Sequence, residues 1–369
     1  MALRNKLHLG TLSAVLRNRL VWPLLFALIA LGAVVFIRAA TPTSSFESDS
    51  GTVANGAQIV NDANASGGSA LKFTATAPLP VTTSITAIGP LQPAGEGSGL
   101  VASRQYPGVF WWIRDGGAAT VDKPRDAVWA VKFDSAGNVV NVRGTNKFPF
   151  NLVTGSQNNN WEDIGMDDQN NLWIGDIGAN NCGRQDQKLL KIKEPNPTTD
   201  EVVAITSSYT FQFPDPAAGC NTWNSEAMFW LDGKWYIFAK TSNSPVYRID
   251  LPAGTSGRAT LVRLGTLTGG TSNISVSSIS DDRTRLMVAN YGNMKVFRTT
   301  NSTLRGDALV KDLISRQPAF SAQLSTGVDG FIAATEGGSF RRNSYDVAFV
   351  SENKFVYYAK PNEYGDGGQ

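Results

Sequence analysis

Histidine is almost missing. The only one in 369 residues is His8, so the whole body of the chain has no imidazole. That excludes Ser-His-Asp and Cys-His catalysis, histidine-held zinc and imidazole general bases there. Cysteine is scarce as well: Cys182 and Cys220 are too few for a thiolate zinc site. Charged residues make up only 17%, below the usual share of about 25%. The 33 basic and 31 acidic residues look balanced, but five of the basic ones fall within residues 1–38, which hold no acid. The remainder is therefore mildly acidic and lacks the basic face that a nucleic-acid partner requires. Chemistry is left to carboxylates, Lys, Tyr, Ser or a hard cation.

The segment from Leu20 to Ile37 is uncharged and 18 residues long, about the minimum for a membrane-spanning helix. Four basic residues precede it, and after Arg38 the next is Lys72. By the positive-inside rule the N-terminus is cytoplasmic and the body extracytoplasmic. The expected layout is a basic N-terminus over 1–19, a single-pass transmembrane signal-anchor in the plasma membrane over 20–38, and an extracytoplasmic β segment with linker over 39–95. A repeat domain over 96–361 and a disordered tail over 362–369 complete it. The alternative for the anchor is cleavage near residue 40, though the run is long for a signal peptide and Arg38 spoils the small-residue site. Outside the cytosol a Cys182–Cys220 disulfide is expected. Asn64, Asn273 and Asn301 head glycosylation patterns, which chance supplies readily in so Asn- and Ser-rich a chain.

Many Gly, Asn, Ser and Thr residues suit a turn-rich β protein. From Ser98 onward the chain repeats. Glu162 is followed at alternate positions by Ile164, Met166 and Asp168, then a turn and Leu-Trp-Ile. Glu226 leads likewise to Met228, Trp230 and Asp232, and Asp346 to Ala348, Val350 and Glu352. Ser98 and Ser275 start weaker copies. Period-two alternation, a polar turn and a second apolar run make a β-hairpin. Further strand-like runs follow each hairpin except the last, and four strands per unit match propeller blades. The predicted fold is an all-β, five-bladed β-propeller, with room for a sixth blade between Ser275 and Asp346, preceded by one N-terminal transmembrane helix. A β-sandwich and two small β domains are the alternatives. The last unit runs out of chain, so Thr83–Ile88, with Leu71–Ala75, is expected to close the ring. Asp307–Ser315 reads as a short helix or an outer strand.

Two resemblances add to this. Phe46 to Phe73, with Glu47, Ser50, Gly51, Asp62 and Ala65-Ser66-Gly67-Gly68, resembles the start of jelly-roll carbohydrate-binding modules. It stops short of the part of such modules that holds sugar. The runs Glu96-Gly-Ser-Gly-Leu, Tyr106-Pro-Gly-Val-Phe-Trp, Asn160-Trp-Glu-Asp-Ile, Trp173-Ile-Gly-Asp-Ile-Gly-Ala-Asn-Asn and Glu194-Pro195 are similar to a family of secreted bacterial β-propellers. That resemblance implies the fold over about 96–360 and brings no reaction with it; Arg316–Asn343 departs from its pattern.

If the ring closes, Glu162, Glu226 and Asp346 begin inner strands and meet at one mouth of the channel. With Asp163 and Asp176 they form the expected metal set, since Ca²⁺ takes about 6–8 oxygens. The rival reading is that strand-start acids simply accept backbone N–H groups. Asp168, Asp232, Asp281 and Glu352 are expected to form the hairpin turns. Trp161 and Trp223 beside Asn-rich loops, with Asn180 and Asn181, are the expected ligand-binding residues, suited to stacking on and hydrogen-bonding a sugar. The function expected is binding of a cell-surface ligand or protein, or a glycan, at the channel mouth, with a structural Ca²⁺. The alternative is a cation-dependent hydrolase of the phytase-like or lactonase-like propeller type; the sequence alone does not decide whether the chain is an enzyme.

Overall fold

A computed structural model describes residues 57–61, 69–73, 83–91, 96–115, 124–140, 142, 150–155, 157–199, 202–269, 272–325, 334–352 and 354–366. The expected anchor over 20–38, its flanks and most of the stretch resembling a carbohydrate-binding module lie outside them. Among the described residues no helix is long and apolar enough to cross a membrane.

The chain forms two compact units, 1–76 and 77–369. In the first, β1 (Ala57–Asn61) and β2 (Ser69–Phe73) pair antiparallel, with Ala57 opposite Phe73. Of the expected Leu71–Ala75, the described residues Leu71–Phe73 pair with β1.

The second unit opens with β3 (Thr83–Thr86) and β4 (Gly89–Pro90), whose partners come from the far end of the chain. Blade one is β5 (Gly97–Ala102), β6 (Val109–Arg114), β7 (Ala127–Phe133) with the short β8 (Val139–Val140) on its edge, and β9 (Phe150–Thr154). Blade two is β10 (Trp161–Met166), β11 (Asn171–Asp176), β12 (Lys188–Lys193) and β13 (Val202–Thr210). Blade three is β14 (Ser225–Leu231), β15 (Lys234–Ala239), β16 (Pro245–Asp250) and β18 (Thr260–Thr266); between the last two, β17 (Ser256–Arg258) crosses to pair with β13. Blade four is β19 (Val276–Ile279), β20 (Arg285–Asn290), β21 (Asn293–Arg298) and β22 (Phe320–Ser325), with helix α1 (Gly306–Ile314) before its outer strand. Blade five is β23 (Thr335–Phe340), β24 (Val347–Ser351), β25 (Phe355–Ala359) and β4. The expected Thr83–Ile88 thus does not supply the last blade: β3 joins β22 in blade four, and Gly89–Pro90, just beyond it, completes blade five.

Ring closure shows in two ways. The inner strands β5, β10, β14, β19 and β23 neighbour one another in a cycle. Also, the described core divides into five apolar clusters, and each draws on two adjacent blades. Period-two alternation causes this, because successive side chains of a strand leave opposite faces of its sheet. Trp173 packs toward blade three, for example, while Leu172 and Ile174 pack toward blade one. A single blade buries neither face alone; neighbours on both sides bury both. The all-β propeller expected from the repeat is the fold, and the sandwich and two-domain alternatives fall.

One frame is corrected. Asp346 does not begin an inner strand; it lies in the turn between β23 and β24 and accepts the Tyr358 hydroxyl. The inner strand of blade five is Thr335–Phe340, inside the segment that departed from the family pattern. Among the described residues, no sixth blade stands between Ser275 and Asp346.

Candidate functional site at the glutamate end of the channel

Four inner strands carry a β-bulge near their starts, and each bulge adds one residue opposite none. That residue is Glu162 in β10, Glu226 in β14, Glu336 in β23 and Gly99 in β5. Bulges re-aim side chains, and here they gather three glutamates. Glycine is required at the fourth position. Gly99 has φ +61°, and a Cβ on it would lie 2.6 Å from the backbone N of Ile164. The strands on either side are held by polar bonds between blades. The Ser98 hydroxyl donates to the Glu162 carbonyl at 2.8 Å, and that of Ser275 to the Thr335 carbonyl at 2.6 Å.

Glu162, Glu226 and Glu336 are 3–4% exposed. Lys240, which follows β15, gives its ammonium to Glu226. Asn224 donates to Glu226 at 3.1 Å and to Asn180 at 3.0 Å, fastening a loop of blade two to this end. Burial is the main cause that raises the Glu162 pKa well above the ordinary carboxyl value, and repulsion from Glu226 and Asp115 adds to it. The Glu336 pKa is pushed up to about 10, by burial first and then by Glu226, against the pull of Lys240. Glu336 thus holds its proton at neutral pH, and burial with like charge pushes Glu162 in the same direction. Burial works against the charge of Lys240, but Glu336 and Glu226 outweigh it and raise its pKa. Beside Lys240 stands Tyr291, 50% exposed, with its ring centre 5.1 Å from the ammonium.

The expected metal set does not assemble. Asp163 is turned between blades, where its carboxylate accepts the N–H groups of Ile164 at 2.8 Å and Met228 at 2.6 Å. It clamps β10 to β14, the backbone-accepting role weighed for such acids. Asp176 accepts Asn160 N–H at 3.0 Å and pairs with Arg184 at 2.7 Å and Lys188 at 3.5 Å. Asp346 is elsewhere. Among the described residues no three acidic, histidine or cysteine side chains converge closely enough to hold a metal ion. The Lys240 ammonium pairs with Glu226 and competes with any cation for that carboxylate.

Trp161 is fully buried between blades one and two and offers no stacking face. Its place as first residue of an inner strand, against the next blade, dictates that. Trp223 is partly buried against the cluster between blades two and three. Asn180 and Asn181 are exposed in the loop after β11. The disulfide is present: Cys182 and Cys220 lie 5.1 Å apart at Cα. It ties that loop to the one before β14, and Asn221 N–H reinforces the tie by donating to the Cys182 carbonyl at 2.9 Å.

Asp168, Asp232 and Asp281 do more than shape turns, for each pairs with an arginine of an adjacent blade: Arg104, Arg283 and Arg342. In blade two the turn is fixed by Asp167, which accepts the N–H groups of Gln169 and Asn171, both at 2.9 Å. Glu352 lies by the glutamate end, within the field of Lys240.

Glu336, Lys240 and Tyr291 were not singled out from the sequence. Thr335-Glu336-Gly337 does echo Ser225-Glu226-Ala227, but the glycines after Glu336 hide the alternation that marks a strand.

No protein-family model matches the sequence, and no curated protein matches it either. Similar solved structures include hydrazine synthase of Kuenenia stuttgartiensis, at 8% identity, covering 72% of this chain and 71% of that one, with a TM-score of 0.34. Glutaminyl cyclase of Myxococcus xanthus is similar at 12% identity, covering 76% and 97%, with a TM-score of 0.42. The WD40 β-propeller domain of Doa1 is similar at 9% identity, covering 76% and 70%, with a TM-score of 0.30. With all three TM-scores below 0.5, neither fold nor activity is argued from the likeness.

Proposed function

We propose that the chain is an extracytoplasmic binding protein that takes a hydroxyl-rich ligand, a carbohydrate, at the glutamate end of its channel. One observation carries this reading: three carboxyls stand on equivalent bulges, Glu336 bears a proton and Glu226 pairs with the Lys240 ammonium, beside a half-exposed tyrosine ring. A sugar hydroxyl is donor and acceptor at once, and a protonated carboxyl or an amide matches it in both senses. The Tyr291 face provides an apolar platform, and Asn180 and Asn181 extend the polar rim. The disulfide suits an oxidising compartment, as does the basic–apolar order of residues 1–37. The cation-dependent hydrolase reading is disfavoured, because Lys240 already neutralises Glu226, one of the carboxylates such a cation would use.

The test is calorimetric titration of the full-length protein with cello-, xylo- and chito-oligosaccharides. Tyr291→Ala is expected to melt as the parent does and to bind about 10-fold more weakly. Absence of binding by every oligosaccharide, or parental affinity in Tyr291→Ala, defeats the reading.

A further inference from the structure

The inner strands run from the glutamates to the opposite end of the channel, about 20 Å away at roughly 3.3 Å per residue. There the channel widens into a cavity of about 370 Å³, within the range of roughly 300–1,000 Å³ usual for small-molecule sites. Its rim carries the three ion pairs between blades: Arg104–Asp168 at 3.1 Å, Arg283–Asp232 at 2.9 Å and Arg342–Asp281 at 2.5 Å. Positive and negative groups are equal in number, but their hydrogen bonding is not. The acceptors are engaged. Asp281 also takes Asn343 N–H at 2.7 Å, and Asp232 takes Gly306 N–H at 2.8 Å. The Asp168 side chain is 56% exposed and solvated.

The donors are in surplus. Three residues lining the cavity each keep a buried donor with no partner: the Ser277 hydroxyl, Arg342 Nε–H and Trp230 Nε1–H. Ser277 is only 6% exposed. Buried polar groups are nearly always paired, so leftover donors call for a ligand rich in acceptors. Charge points the same way. Arg104 and Arg342, from blades one and five, face the same cavity. Burial, and after it the charge of Arg104, lowers the Arg342 pKa, and an anion between the two guanidinium groups would relieve that conflict.

We propose that this cavity binds a small oxyanion, the carboxylate or phosphate group of a small molecule, between Arg104 and Arg342 with the Ser277 hydroxyl as a neutral donor. Guanidinium forks match the oxygens of such groups in pairs. Met166 and Phe340 supply an apolar wall for the remainder of the molecule. The residues are distinct from those of the glutamate end, so the two sites stand or fall separately.

Isothermal titration of the full-length protein in detergent tests it, with sodium phosphate and sodium citrate as probes against sodium chloride of equal ionic strength. A saturable heat is expected with at least one probe; phosphate alone marks phosphoryl recognition and citrate alone marks carboxylate recognition. Ser277→Ala breaks no hydrogen bond, so it should melt as the parent does while binding about 5- to 10-fold more weakly. Arg342→Lys keeps the charge but loses the fork, and should weaken binding by about 10-fold or more. Should Arg342→Lys fail to fold, Ser277→Ala decides alone. No heat beyond that of chloride, or parental affinity in Ser277→Ala, overturns the proposal.

Discussion

Replacing Glu336 with Gln removes one titrating group and almost no shape. In the folded chain this carboxyl has its pKa pushed up to about 10, against an ordinary 4.5, through burial and the nearby Glu226. Between those values the folded protein keeps a proton that the unfolded chain has released. Stability is therefore fully present below pH 4.5 and is lost as the pH rises toward 10. One such group contributes a slope of up to about 1.4 kcal/mol per pH unit, or about 3 kcal/mol between pH 6 and 8. Glu162 and Asp163, both raised mainly by burial, act in the same direction. The missing histidines make this interval clean, since no imidazole follows His8 to titrate within it. Urea denaturation at pH 6, 7 and 8 should show the parent losing stability with each step. Glu336→Gln should lose about 3 kcal/mol less over the interval. A parent stability that is flat or rises, or a variant with the parental slope, refutes the buried-proton account of this site.

Two further outcomes test the ring itself. A Cβ at Gly337 would lie 2.4 Å from the carbonyl carbon of Gly99 and 2.8 Å from its Cα, backbone that cannot yield without parting blades one and five. Gly337→Ala should cost about 3 kcal/mol or more in urea unfolding, whereas Gly89→Ala, with nothing within 4 Å, should cost far less. Cys182→Ser opens a disulfide that spans 38 residues, and a loss of about 3–4 kcal/mol is expected by the loop-entropy account. An unchanged unfolding midpoint would remove the disulfide from the list of what holds blades two and three together.

The hairpins Trp161–Asp176 and Ser225–Ala239 were legible because one strand alternates Ile164 with Met166, or Met228 with Trp230, ahead of a polar turn. Blade five was not, and the cause is physical. Gly337 lies against the backbone of Gly99 and Gly338 against the side chains of Phe349 and Val276, so glycines replace the apolar residues that betray a strand. The repeat was then read one strand late, at Asp346, and Glu336 was passed over. Trp161 failed for a related reason. A tryptophan at the head of an inner strand is buried by the neighbouring blade, and no local pattern tells which neighbour that is.

The order of residues alone determined the β class, the blade repeat and the pairing of the two cysteines. Each of these rests on local alternation, turn chemistry or a count. Tertiary structure decided which carboxyls meet, that Lys240 pairs with Glu226, and that arginines and spare donors gather at the other end. Those depend on where bulges fall and how sheets twist around the axis, and such distances are set by all five blades packing at once.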